Sequence, residues 1–477
     1  NTVKPQNVYG IKVNNDDAVF VPKLKIKHNS LPLTASNLRV IDEDTEILGI
    51  YDQDSFGHPY QFEISHLKIP DRQLKSGVIR EPLALSKTDL ILIDTKEKLE
   101  TLRDTLCSVE EFAVDLEHNS YRSFLGLTCL IQISTRKNDY IIDPFPIWNE
   151  VLFSFDSFLN HRNFQVFHGP ELDVLWLQRD FGIYVVNMFD THSAMKALNY
   201  PRFSLQFLIE SHFDVNIDKQ LQKSDWTMRP LSDAHIEYAR KDTHYLLSCY
   251  DYLRESLINL EHEMPGILQK TYEDSKNICL LSYSKPKFQR TGFEKLLQGR
   301  KSINNKQRYA LSALWQWRDT LARLEDESHH YILPNHMLLQ IAEILPREQQ
   351  GILACCSPIP KLLKQELHTV HRIISAARDL PLKKEETYDV SNYISVTFEK
   401  FMSNLNKMTK LKALLGEIHE IGMPSSYDNV TMCLINKKLD EWASPFESYL
   451  LSLKEDLKNI VSFIILIFSA SFIIFDS

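Results

Sequence analysis

Apolar positions in this chain repeat at two spacings, and the change from one to the other marks its elements. Leu90 to Ile93 is an apolar run of strand length. Asp94, with Glu97 three residues on, reads as a capping-box-like helix start, and Leu99, Leu102 and Leu106 then share one helical face. Phe112-Ala113-Val114 predicts a buried strand that delivers Asp115 and Glu117 at its end on one face, because strand side chains repeat every two residues. Tyr140 to Ile142, Phe164 to Phe167 and Tyr184 to Val186 read as further strands. His168-Gly169-Pro170 breaks the chain, and Glu171 to Asp180 is a predicted helix with Leu172, Leu175 and Trp176 apolar and a stop at Gly182. Ile236, Ala239, Leu246 and Leu247 form the apolar side of a later helix. Tyr238 and Asp242, four residues apart, project from one of its faces. Strands alternating with helices predict an α/β layer fold. Beyond about residue 303 the period is helical only, with Leu314, Trp315, Arg318, Leu321 and Ala322 in register and a break at Pro334.

The pattern sets acids where chemistry can use them. Asp115 and Glu117 on one face can share a cation, although such a pair alone reads as a solvated strand end. Asp173 falls in the first turn of its helix, where an acid also complements the helix dipole, and Glu171 is its rival there. Hard cations take oxygen ligands, and a pair of Mg²⁺ or Mn²⁺ ions about 4 Å apart is a known arrangement for phosphodiester hydrolysis. Four carboxylates suffice for such a pair. Tyr238 fits a hydrogen-bonding group that orients water better than it fits a strong base. Asp143, before Pro144, and Asp190, before Thr191, read as turn or cap residues and stay outside the candidate site.

The stretches VDLEHNSYRSFLGLTCLIQISTR (Val114 to Arg136), VFHGPELDVLWLQRDFGIYVVNMFDTH (Val166 to His192), DWTMRPL (Asp225 to Leu231) and YARKDTHYLL (Tyr238 to Leu247) resemble the DEDD-Y exonucleases of the ribonuclease D superfamily. Within them the chain is most similar to the catalytic subunit of the nuclear RNA exosome, the exosome component 10 type. The resemblance implies a ribonuclease H-like 3′-5′ exonuclease domain, a mixed sheet flanked by helices. It implies Asp115, Glu117, Asp173 and Asp242 as ligands of two divalent cations, Mg²⁺ or Mn²⁺, and Tyr238 as the water-orienting residue. Pro170-Glu171 stands where the family tends to have Ala-Asp, and Asn119 stands where it has a second His. Residues Ala310 to Pro346 resemble an all-α HRDC domain, with Glu325-Asp326-Glu327-Ser328 through Leu333-Pro334-Asn335 as the part typical of exosome exonucleases. This module is expected to position RNA and restrict access to the site. His329 and His330 lack metal-ligand spacing, and Trp315 and Trp317 read as core and interface.

Six segments are expected: an extended N-terminal segment (1–88), the exonuclease domain (89–265), a basic connector (266–302), the HRDC domain (303–383), a C-terminal helical segment (384–459) and an apolar tail (460–477). Across residues 285–308, from the connector into the start of the HRDC domain, Lys285, Lys287, Arg290, Lys295, Arg300, Lys301, Lys306 and Arg308 are opposed by Glu294 alone, which suits either RNA contact or a solvated linker. The net charge of −9 excludes wholesale nucleic-acid coating and confines RNA to local patches. Seven cysteines without paired metal spacing read as reduced thiols of an intracellular protein. Ile460 to Phe475 is uncharged yet shorter than the roughly 20 residues that span a bilayer. A membrane role is therefore not expected. The chain begins with Asn1 rather than Met, which suits a fragment or a processed form, and no secretory signal is evident. The helical domain with which this family binds a small partner protein is not expected in this chain.

The leading expectation is a hydrolytic 3′ to 5′ exoribonuclease releasing nucleoside 5′-monophosphates from structured or precursor RNAs, including rRNA precursors. It would work with the exosome core in the nucleus, in nucleolus and nucleoplasm. A DNA exonuclease of the same superfamily is the alternative, and a non-catalytic RNA scaffold is a third reading.

Overall fold

A six-stranded mixed sheet, in the order β1-β4-β3-β2-β5-β6, carries the candidate site. The computed structural model describes residues 4–24, 27, 29, 57–154, 164–215, 221–298 and 303–383. The C-terminal helical segment and apolar tail read from the sequence lie outside these residues. Before the sheet come three short helices, α1 (Pro5–Val8), α2 (Gln61–His66) and α3 (Asp71–Leu74). The nuclease follows as β1 (Asp89–Ile93), α4 (Lys96–Ser108), β2 (Glu111–Asn119), β3 (Leu127–Ser134), β4 (Asn138–Ile142), α5 (Trp148–Ser154), β5 (Phe164–Phe167), α6 (Glu171–Phe181) and β6 (Met188–Asp190). Then come α7 (Thr191–Ala197), α8 (Leu205–Phe213), α9 (Asp233–His244), α10 (Leu246–Leu260) and α11 (Ile267–Cys279). β3 runs antiparallel to both its neighbours, whereas β1 with β4, β2 with β5 and β5 with β6 pair in parallel.

Alternation along β2 decides which face holds the acids. Phe112, Val114 and Leu116 pack into one core with Leu99, Leu102 and Leu106 of α4 and Val174 and Leu177 of α6. Each leucine buried there contributes about 1.5–3 kcal/mol. Ala113 points the other way, toward a core formed with α7, α8, α10 and α11. Asp115 and Glu117 continue its parity and so look toward that second face.

Several sequence expectations are corrected. Asp115 and Glu117 lie inside β2 rather than at its end, because pairing with β3 continues to Asn119. Tyr184 to Val186 is buried but joins no strand; pairing with β5 starts only at Met188, opposite Gln165. The cap of α4 is Thr95, whose hydroxyl accepts from Lys98 N, while Asp94 pairs with the Lys98 ammonium. Residues 267–279, read as connector, form α11, whose Ile267, Leu268 and Tyr272 are buried in the nuclease core. The N-terminal segment contributes Leu24, Tyr60 and Ile64 to the first core.

The HRDC domain comprises α12 (Asn305–Glu325), α13 (His329–Ile332), α14 (Asn335–Ile344), α15 (Gln349–Ala354), α16 (Lys361–Gln365) and α17 (Leu367–Asp379). Asn304 and Gln307 form a true capping box at the start of α12. Trp315 packs against the HRDC core and donates to Gln289 O of the connector. Lys285 pairs with Asp16, and Arg308 with Glu294, so part of the connector's charge is committed internally. The acidic stretch after α12 is a joint. Asp326, at φ +49°, accepts from Ser123 Oγ and Phe124 N of the nuclease and from Gln6 and Asn15 of the N-terminal segment. Glu327 takes both nitrogens of an Arg122 fork and pairs with Lys4. Asp326→Ala strands four donors, so the two-domain unit is expected to lose about 2–4 kcal/mol. A thermal melt unchanged from wild type would show that the joint carries no stability.

Candidate active site

Three carboxylates from two elements converge beside the sheet. Asp115 and Glu117 from β2 and Asp242 from α9 each offer an oxygen, and these oxygens lie within 4.8 Å of one another. Asp115 is half-buried, while Glu117 and Asp242 are only 7% and 5% exposed. A β-bulge at Glu117/His118, where Cys129 of β3 has no partner, breaks the ladder beside Glu117. Gln132, opposite Asp115 on β3, donates from Nε2 to Glu117 Oε1 at 3.5 Å.

Asp173 arrives from a third element. The turn at Gly169 (φ +62°) and Pro170 starts α6 at Glu171, so Asp173 occupies its first turn and is buried. It lies outside the tight group of three, but its field reaches Glu117, and that of Asp115 reaches it. Glu171, the rival, is exposed.

Burial and mutual repulsion set the charge state of this cluster. Desolvation pushes Asp115 up to about 7. Glu117 is raised well above the usual range, first by burial and then by Asp115, Asp242 and Asp173. Burial, then the Asp115 charge, raises Asp173 and Asp242 as well. All-oxygen donors whose negative charge the protein itself does not neutralise fit a hard divalent cation. Tyr238 sits on the same face of α9, hydrogen-bonded to Asp242 and 5.9 Å from the Trp226 ring. Burial and the three neighbouring acids push its phenol upward, so it stays protonated and acts as a donor. Tyr238→Phe is accordingly expected to lower kcat about 10²-fold with little change in melting temperature. A rate equal to wild type would remove the hydroxyl from the reaction.

The other acids take structural roles. Asp190 caps α7, accepting from His192 N and Ser193 N. Asp143 accepts from Phe145 N and holds the Arg229 guanidinium, which also reaches Cys129 O and Trp226 O. Asn119 donates to Asp225 and so ties the end of β2 to the DWTMRPL loop. Residues not singled out in the sequence brace the site. The His118 ring stacks on Trp176 of α6 at 4.1 Å and accepts from Arg179 Nη2. Gly126 (φ +79°) leaves room for it, since a Cβ there would sit 2.3 Å from His118 Cε1. The visible signal was His118 following Glu117 directly in the sequence.

Comparison with known proteins gives the chain a family. The 3′-5′ exonuclease family matches residues 90–258, and the HRDC domain family matches residues 307–374. The crystal structure of the catalytic core of RRP6 from Trypanosoma brucei superposes with a TM-score of 0.69 at 31% identity, covering 79% of this chain and 99% of that one. The chain belongs to the RRP6 family. This RRP6-family chain is also 48% identical over 384 residues to the exosome complex component 10 homolog of Caenorhabditis elegans (80% of this chain, 44% of the relative). It is 41% identical over 407 residues to exosome complex component 10 of Homo sapiens (81% and 46%). It thus spans under half the length of these curated relatives. Among the described residues, no helix is long and apolar enough to cross a membrane.

Proposed function

We propose that this RRP6-family chain is a metal-dependent 3′ to 5′ exoribonuclease that releases nucleoside 5′-monophosphates. The observation that carries this reading is the convergence of Asp115, Glu117 and Asp242, the first raised by desolvation and the other two buried and raised further by its charge, beside a protonated Tyr238. In this reading Asp115, Glu117, Asp173 and Asp242 hold two divalent cations, Mg²⁺ or Mn²⁺. Such a pair supplies Lewis acidity to the attacking water, the phosphoryl group and the leaving 3′ oxygen. Tyr238 donates its one phenolic hydrogen to Asp242, which fixes the phenol's direction, and its oxygen accepts from the attacking water and so aligns it. Glu117 is held from behind by the Gln132 amide. The HRDC domain, locked through Asp326 and Glu327, bounds the approach of the RNA. The extents 89–265 and 303–383 are proposed for the two folded modules, with α11 packed onto the first.

Relatives named as exosome complex components support work with an exosome core; action in the nucleus, in nucleolus and nucleoplasm, on rRNA precursors and other structured RNAs is proposed with it. Competition between equimolar single-stranded RNA and DNA of one sequence tests the substrate class. RNA is expected to be consumed first, with 5′-monophosphates as the chromatographic product. Preferential loss of DNA would favour a DNA exonuclease of the same superfamily.

A further inference from the structure

The motif that supplies Tyr238 and Asp242 also contains Arg240, Thr243 and His244, which point away from the cluster. At 100° per residue, Arg240 and His244 lie about 200° around α9 from Tyr238 and Asp242. Both close on one buried carboxylate, Asp139 of β4, which is 1% exposed. Arg240 Nε donates to Asp139 Oδ2 at 2.6 Å, and His244 Nδ1 lies 2.9 Å from the same oxygen. Ser134 Oγ donates to Asp139 Oδ1 at 2.7 Å and meets Thr243 Oγ1 at 2.8 Å. The remaining groups of Arg240 and His244 bind the chain ahead of β1: Arg240 Nη2 donates to Leu85 O and Thr88 O, and His244 Nε2 meets Leu83 O. Both Asp139 oxygens, both His244 ring nitrogens and Nε and Nη2 of Arg240 therefore have fixed partners.

We propose that Asp139 is a positioning residue for α9, whose grip on Arg240 and His244 sets the rotation of that helix and thereby aims Tyr238 and Asp242 at the metal-binding acids. Beyond Ile236 in its first half, the helix faces β3 and β4 through small or short residues, Ala239 and Thr243, which supply little shape to resist rotation of the half that carries Asp242. The directional bonds to Asp139 supply it instead. A rotation that moves Asp242 by about 1 Å is enough to cost on the order of 10²-fold in rate. This inference rests on the exonuclease reading of the site.

The test uses the full chain as wild type, Asp139→Asn, Tyr238→Phe and the double variant, with Asp115→Asn as reference. Asp139→Asn is expected to lower kcat for RNA about 10- to 100-fold, with KM within about threefold. Calorimetric Mn²⁺ affinity is expected to fall about 10-fold. Adding Asp139→Asn to Tyr238→Phe should cost less than Asp139→Asn costs in wild type, because the part of its effect that runs through the Tyr238 hydroxyl is already lost. Multiplying losses, unchanged kcat or unchanged Mn²⁺ affinity overturns the proposal while an active wild type and an inactive Asp115→Asn leave the exonuclease reading intact. An inactive wild type overturns both. If Asp139→Asn does not fold, Arg240→Lys is read by the same criteria.

Discussion

Asp115→Asn is expected to lower RNA hydrolysis by at least about 10³-fold while RNA affinity and the folded state persist. The amide keeps the carboxylate's shape but offers a hard cation a neutral oxygen in place of an anionic one. Asp115 is the acid whose field acts on all three others, raising Glu117, Asp173 and Asp242. Its loss would therefore remove a proposed ligand and also alter the protonation of the remaining set. Several kcal/mol of transition-state stabilisation is the scale of a bound cation's contribution, and each 1.4 kcal/mol is tenfold in rate. Steady-state rates at saturating Mg²⁺, with RNA binding measured in parallel, decide the matter. A variant within about tenfold of wild type would remove Asp115 from the metal site.

The same substitution has the opposite sign for stability. In chelator, Asp115→Asn is expected to be more stable than wild type by about 3–5 kcal/mol at pH 8, the scale of an uncompensated buried charge. Asp115 holds its proton to about pH 7 in the folded protein, but only to about pH 4 unfolded. Between these values the folded state binds more protons, so the contribution of Asp115 to stability falls as pH rises from about 4 to 7. Burial of His58, His118 and His168 depresses these imidazoles and acts in the opposite direction below about pH 6.5, so the informative quantity is the difference between wild type and variant. That difference widens toward pH 7 and then levels. Adding Mg²⁺ reverses it, because a cation that binds only the folded wild type stabilises it. Melting curves of both proteins at pH 5 and 8, with and without Mg²⁺, measure all four terms. A pH-independent difference, or none, would mean that Asp115 is not desolvated in the folded protein.

Much of this site was legible in the sequence because its residues obey local periods. Asp115 and Glu117 share parity along a strand, and Tyr238 and Asp242 share a helical face; either pair can be placed without knowledge of the partner. Asp173 was open to Glu171 until the turn at Gly169-Pro170 fixed where α6 begins. What the sequence left dark depends on contacts between distant segments. Asp139 sits in an ordinary strand, and its partners come from α9, about a hundred residues later. Tyr184 to Val186 has the composition of a strand but lacks a neighbour to pair with. The acidic stretch Glu325 to Ser328 was visible as a motif, while its use as a joint needed the loop Tyr121 to Phe124 brought beside it.

One measurement bears most directly on the account: single-stranded RNA labelled at its 5′ end and carrying a free 3′ hydroxyl, incubated with the chain in Mg²⁺, in Mn²⁺ and in chelator. The expected result is a ladder that shortens from the 3′ end in either metal and is absent in chelator and with Asp115→Asn. Intact RNA under every metal condition from a folded protein, or cleavage that persists in chelator, would contradict a metal-dependent 3′ to 5′ exoribonuclease.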